Sequence, residues 1–231
     1  MTELEEAPLR GGWVTEGVVR VGDTVRRPPG PNSSAVQALL VHLEHVEAPR
    51  FLGYDEQGRE TLSFIGGDVP SDCRAILWSD DQLVEASALL RRFHDATAGT
   101  DQAGDREVVC HKRLPVPGTS CGARSCPSRS STSTTSQLAS GSTTSGTRSW
   151  KHLNLGLIDL APEDQWSRLR VMTESYGAAP DDGLLRAIER AQERMRLLIE
   201  ASPPGPERDE ALAQHSREQA WLSRNGRRLV G

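Results

Sequence analysis

The pattern of apolar and polar positions changes from strand-like to helix-like along the chain. In GGWVTEGVVRVGDTVRRPPG (11–30), β-branched residues alternate on both sides of Gly22-Asp23, which predicts a hairpin. Strands are also predicted over 49–56 and 59–67, with the turn EQGR between them. Residues 32–46 have apolar positions at helical spacing, which predicts an amphipathic helix capped by Asn32 or Ser33. The predicted apolar stripe of this helix is Val36, Leu39, Leu40, Leu43 and Val46.

Helical spacing dominates after residue 67. Residues 79–97 predict a helix that begins at Ser79, and acidic residues in its first turn suit the helix dipole. A short strand is predicted at 107–111. The apolar face of the 79–97 helix is predicted as Leu83, Ala86, Leu89, Leu90 and Phe93. Three more helices are predicted over 162–177, 181–201 and 206–222, the second with a buried stripe of Leu184, Ile188, Ala191, Met195 and Leu198. The fold class is therefore α+β, with a β-rich part over 1–67 and a helical part over 68–231.

Composition narrows the classes of function. The 231 residues carry a net charge of -5, and the pI near 5.7 argues against a dedicated nucleic-acid binder. There is no apolar run of about eighteen residues, so no membrane span is expected. The acidic start MTELEEAPLR is unlike a signal peptide, which predicts a cytoplasmic protein. Cys73 and Cys110 suit reduced core thiols, and Cys121 and Cys126 lack the spacing and histidines of a zinc site, so no metal site is predicted.

One segment departs from this composition. Residues 112–149 contain 18 Ser or Thr among 38 residues, with no Asp, Glu, Phe, Tyr or Trp. A flexible Ser/Thr-rich loop is one interpretation, although a loop this long is uncommon inside a compact domain. The other is a shifted reading frame, since Ser and Thr codons read one base out can encode acidic and aromatic residues. On either interpretation the segment is predicted to be poorly ordered and the stability of the chain to be low.

Several phrases resemble the aminoglycoside phosphotransferase and choline kinase-like family. They are VVRVGDTVRRP, LSFIGGDVP, LLRRFHDAT and VVCH, which occur in that order within residues 11–111. The resemblance implies a protein-kinase-like bilobal fold, with a small β-rich lobe over ATP and a helical lobe below. It also implies transfer of the γ-phosphoryl group of MgATP to a hydroxyl of a small-molecule acceptor, aminoglycoside-like in kind, with neither nucleic acid nor membrane as partner.

The resemblance assigns roles to particular residues. Arg26 would contact ATP phosphates, with a solvated strand charge as the alternative, and no helical Glu partner for it is evident near Gln37. Gly11 and Gly12 would let the backbone approach the phosphates, although a plain turn explains them equally well. The residues of the adenine-binding hinge would be Phe64, Ile65 and Gly66. His111 would support the catalytic loop without acting in the chemistry.

The motifs that perform that family's chemistry are missing from the visible frame. After His111 no carboxylate occurs before Asp159, so the catalytic Asp and the Mg²⁺ ligands are absent. A shifted frame could encode Asp-Phe-Asp within 130–134. The sequence therefore predicts a phosphotransferase by family that is inactive as written. The alternative is a non-catalytic remnant, or a nucleotide-binding or interaction protein.

Overall fold

The computed structural model describes residues 5–9, 16–67, 77–103, 108–109 and 153–229. Within these residues, the strands precede most of the helices. The strands of these residues are β1 (Glu6–Pro8), β2 (Val19–Val21), β3 (Thr24–Arg27), β4 (Phe51–Tyr54) and β5 (Glu60–Ser63). The helices are α1 (Ser33–His42), α2 (Asp80–Thr97), α3 (Pro162–Tyr176), α4 (Asp182–Glu200) and α5 (Pro206–Asn225), followed by a 3-10 turn at Gly226–Leu229. The predicted α+β class is confirmed. Gly11, Gly12, His111 and segment 112–149 lie outside the described residues.

An antiparallel sheet is formed by the five strands in the order β1-β2-β3-β5-β4. The predicted hairpin is present: Val21 pairs with Thr24, and Gly22 takes a φ of 58° in the turn between them. Strand β1 pairs with β2 at one edge and was not predicted, because EAP carries no strand pattern. At the other edge the register of β4 against β5 shifts between Phe51 and Gly53.

Helix α1 differs from its prediction in length and in burial. It ends at His42 instead of continuing to residue 46, and none of its residues is fully buried. Within the predicted stripe only Leu43 is buried, and Val36 is exposed. The structure explains this difference because α1 packs against strand β4, which is at the edge of the sheet. Spacing identified the helix, but its partners determine how much of the stripe is covered.

Helix α2 agrees closely with its prediction. Ser79 Oγ accepts a hydrogen bond from the Gln82 backbone N–H at 3.3 Å, and Gln82 Oε1 accepts one from the Ser79 N–H at 2.9 Å. This reciprocal capping box satisfies two N–H groups that the first helical turn leaves without partners. All five predicted face residues are buried. The remaining predicted strand, 107–111, is described only at Val108 and Val109, and neither of them is in a strand.

The helical core is centred on an aromatic pair from α3 and α5. The rings of Trp166 and Trp221 lie 4.7 Å apart between centroids, within a cluster that also contains Leu155, Leu169 and Ile188. The predicted stripe of α4 is buried from Leu184 to Ala191, but Met195 is only partly buried and Leu198 is 61% exposed. The last turns of α4 therefore extend beyond the core.

A short loop before α3 is packed tightly against this aromatic pair. Gly156 has a φ of 79°, and a Cβ atom placed on it would lie 2.5 Å from Trp221 Cβ. The buried side chain of Gln165 holds the loop: its Oε1 accepts from the Gly156 N–H at 2.8 Å, and its Nε2 donates to the Leu160 carbonyl at 2.8 Å. Gln165 therefore has partners for both ends of its amide.

Candidate functional site

Strand β3 presents two neighbouring arginines to opposite faces of the sheet, because successive strand residues alternate in direction. Arg26 Nη1 donates to Thr24 Oγ1 at 2.7 Å, and its Nε lies 3.7 Å from Asp55 Oδ2. The Arg26 charge is thus partly neutralised by a carboxylate of the β4–β5 turn. Its role toward a phosphate stays a prediction.

On the other face, Arg27 contacts a buried carboxylate that the sequence analysis did not single out. Arg27 Nε donates to Glu60 Oε2 at 2.6 Å, and Gln37 Nε2 of α1 donates to Glu60 Oε1 at 2.6 Å. The same Gln37 nitrogen donates to Tyr54 Oη at 2.7 Å. Glu60 is only 1% exposed. We call Arg27, Gln37, Tyr54 and Glu60 the Glu60 network.

The ionisation of Glu60 follows from these contacts. Burial opposes its charged form, but hydrogen bonds from Gln37, Arg27 and the Ser33 hydroxyl outweigh this and hold the pKa of Glu60 below its ordinary value. Both carboxylate oxygens already accept hydrogen bonds, so Glu60 is a weak proton acceptor at neutral pH. The arrangement fastens α1 to the sheet and is not suited to general base chemistry.

A pattern in the sequence could have revealed Glu60. It stands two positions before Leu62 in β5, so the two share one face, and Leu62 is buried. A carboxylate in phase with a buried leucine needs a partner. The partner itself could not be predicted, because Arg27 is 33 residues away along the chain.

A second charged cluster joins the β4–β5 turn to the edge strand β1. Arg59 donates to Asp55 Oδ2 at 2.7 Å and to Glu6 Oε1 at 2.6 Å. The Arg59 guanidinium lowers the pKa of Glu6. Burial opposes ionisation of Asp55, but hydrogen bonds from the backbone and side chain of Arg59 and from the Gln57 N–H prevail, so its pKa is also lowered. These contacts stabilise the β4–β5 turn and the edge strand β1.

The predicted hinge residues follow the end of β5, beside the β2–β3 turn. The Phe64 N–H donates to the Asp23 carbonyl at 2.9 Å, and the Arg20 guanidinium lies 3.8 Å from the centroid of the Phe64 ring. Ile65 is 43% exposed, and a Cβ on Gly66 would meet no atom within 4 Å. The structure thus brings Phe64 close to the turn and leaves Ile65 and Gly66 at the surface. Adenine binding by these residues stays a prediction.

A buried polar pair lies between α2 and α3. His94 Nδ1 and Tyr176 Oη are 2.6 Å apart, with the rings in an edge-to-face arrangement. This position agrees with a structural role for His94. In the part of the chain that is described, no three His, Cys, Asp or Glu side chains are grouped so as to hold a metal ion. The ATP and Mg²⁺ assignments stay predictions.

Comparison with known proteins changes the functional interpretation. The chain is similar to a trifolitoxin immunity protein of Rhizobium leguminosarum bv. trifolii, with 46% identity over 99 residues. That alignment covers 41% of this chain and 36% of the relative, so the chain spans about a third of the relative's length. No protein-family model matches the chain, and no solved structure matches it.

This similarity corrects the family prediction. A relative at 46% identity is named an immunity protein and not an aminoglycoside phosphotransferase, so the phosphotransferase family, activity and enzyme class predicted from the short phrases are wrong. The phrases that suggested them are short, and their hydrophobic alternation and charged positions recur in unrelated proteins. The interpretation of the chain as a kinase is wrong with them, and the similarity gives no support to ATP binding. The shifted frame in 112–149 stays a prediction about the gene.

Proposed function

We propose that this chain takes part in protecting a bacterial cell from a toxin, as an immunity protein similar to the one that acts against trifolitoxin. The observation that carries the proposal is the 46% identity over 99 residues. Nearly half of the aligned positions are identical, which supports a shared fold over that stretch and makes a related role the first to test. The chain matches 36% of the relative, so protection by this chain alone is itself part of the proposal.

The test is toxin resistance in a sensitive bacterium. The chain is expressed in a trifolitoxin-sensitive strain, and the lowest concentration of purified trifolitoxin that stops growth is measured. We expect a higher inhibitory concentration than in cells with the empty vector. The Rhizobium relative serves as the positive control, and Ile188→Asp, which places a charge in the fully buried helical core, as the unfolded control. Protection by the relative but not by the folded chain would refute the proposal.

One finer prediction from the sequence, the cytoplasmic location, belongs to this proposal. A cytoplasmic location is supported by the four cysteines, whose spacing is not that of a dense disulfide framework. In the described residues, none of the helices is both long and apolar enough to cross a membrane. A small-molecule hydroxyl acceptor as partner has no further support and stays a prediction.

The architecture predicted at finer detail is also a proposal. We propose that the chain divides into a β-rich part over 1–67 and a helical part over 68–231, arranged as two kinase-like lobes. The order of the elements supports this division. All five described strands lie between Glu6 and Ser63, and helices α2 to α5 lie between Asp80 and Asn225. The proposal concerns architecture only and implies no phosphoryl transfer.

A further inference from the structure

The β-rich and helical parts of the chain share few contacts within the described residues. Each pair of elements that packs extensively there lies within one part: the strands with one another and with α1, α2 with α3, and α4 with α5. Among the same residues, hydrogen bonds and ion pairs join the two parts at two points, His42 and Glu47. Parts of a chain that share a small interface generally move relative to each other.

The first point is a hydrogen bond between the end of α1 and the end of α2. His42 Nε2 lies 2.6 Å from the Ala96 carbonyl oxygen. A carbonyl oxygen can only accept, so Nε2 carries the hydrogen and donates. Ala96 belongs to the last turn of α2, whose carbonyls lack donors within the helix. His42 therefore satisfies a group of the helical part from outside that part.

The second point is an ion pair one helical turn away. Arg92 Nη2 donates to Glu47 Oε2 at 3.0 Å. Arg92 precedes Ala96 by four positions, so the two contacts lie on one face of α2. Both side chains of the pair are largely exposed, and salt weakens an exposed pair. The second contact is therefore the more easily released of the two.

A buried leucine lies between these two points along the chain. Leu43 is 2% exposed and is the one buried residue of the range 31–50, all of which is described. The segment 42–47 thus contains one buried apolar side chain and two polar contacts to the same face of α2. We call this segment the joint.

We propose that the joint is the pivot on which the β-rich part turns against the helical part, with its two polar contacts limiting the rotation. The inference rests on the proposed division of the chain and is independent of toxin protection. It predicts that the relative orientation of the two parts depends on His42 and Glu47, whereas the fold of each part does not. It also predicts that salt loosens the orientation, because the Glu47–Arg92 pair is exposed.

The first experiment measures the shape of the full chain by small-angle X-ray scattering. We expect the double variant His42→Phe/Arg92→Gln to have a larger radius of gyration than wild type and an unchanged circular dichroism spectrum. Arg91→Gln is the matched control, since it breaks an equally exposed ion pair at 2.9 Å that lies wholly within α2, with Asp95. The control should scatter like wild type. Equal scattering by the double variant and wild type, or an equal increase in the control, would overturn the proposal.

The second experiment uses single substitutions at exposed residues and follows hydrogen exchange of the Leu43 N–H, which donates to the Leu39 carbonyl at 2.9 Å. We expect roughly fivefold faster exchange in His42→Phe, the effect of one lost hydrogen bond. His42→Gln keeps a donor for the Ala96 carbonyl and should exchange like wild type.

Salt gives a test that needs no substitution. Wild type in about 1 M sodium chloride should show the faster Leu43 exchange of Arg92→Gln at low salt, because screening removes the same contact. Leu43 exchange that is unchanged in His42→Phe, or that rises equally in His42→Gln, would refute the joint as the pivot.

Discussion

Replacing Gly156 by alanine tests how closely the loop before α3 packs against Trp221 in the helical core. Gly156 takes a φ of 79°, which places it in the left-handed region that L residues other than glycine avoid. The added Cβ would lie 2.5 Å from Trp221 Cβ and 2.7 Å from Trp221 Cγ, well inside van der Waals contact. The indole is buried and packs on Trp166, so it has little space into which to move.

The expected loss of stability in Gly156→Ala has two parts. The left-handed backbone costs alanine about 1–2 kcal/mol. Crowding of a packed core by an added methyl group costs about 1–3 kcal/mol more. Gly156→Ala should therefore lower the free energy of unfolding by about 2–5 kcal/mol, a large share of the roughly 5–15 kcal/mol that holds a domain folded.

Gly177→Ala is the matched control for the backbone part. Gly177 ends α3 with a φ of 83°, and its added Cβ would meet only Arg91 Nη1, at 3.6 Å. Gly177→Ala should therefore lower the free energy of unfolding by only about 1–2 kcal/mol. Urea unfolding followed by circular dichroism gives both values. Equal losses of stability in the two variants would refute the close packing of Gly156 against Trp221.

Two further substitutions test buried polar groups. Glu60→Gln should lower the free energy of unfolding at neutral pH by about 1–3 kcal/mol, since it removes the negative charge opposite Arg27 and leaves one acceptor oxygen for two donors. Because folding lowers the pKa of Glu60 from 4.5, the stability difference between wild type and Glu60→Gln is fully present above pH 4.5 and is lost as the pH falls through the lower pKa of the folded state. A stability difference, measured by urea unfolding, that does not shrink in this pH range would contradict the expectation. Tyr176→Phe removes the partner of His94 Nδ1 and should cost about 1–3 kcal/mol in the same assay, more than Tyr54→Phe at the exposed Tyr54.

Features set by neighbouring residues could be predicted from the sequence. The hairpin turn at Gly22-Asp23 and the start of α2 at Ser79 depend on bonds between residues at most three apart, and both are present. The buried face of α2 was also predictable, because that helix packs extensively against α3. For such features, periodicity and cap chemistry carry the required information.

Features set by distant contacts could not be predicted. The exposure of Val36 on α1 and of Leu198 on α4 depends on which elements lie beside those helices. Arg27, the partner of Glu60, is 33 residues away along the chain. Short phrases were also insufficient to assign a family, because the similarity that bears on function extends over 99 aligned residues.

The two outer strands of the sheet bear on self-association. An open strand edge offers free N–H and C=O groups to another chain, and proteins commonly block it with proline or with a bulge. Strand β1 contains Pro8, which has no N–H to donate, and β4 has its irregular register at Gly53, where the φ is 112°. Both edges of the described sheet therefore carry a device against edge-to-edge aggregation, so the sheet is protected from the growth of intermolecular β-structure even though its strands are short.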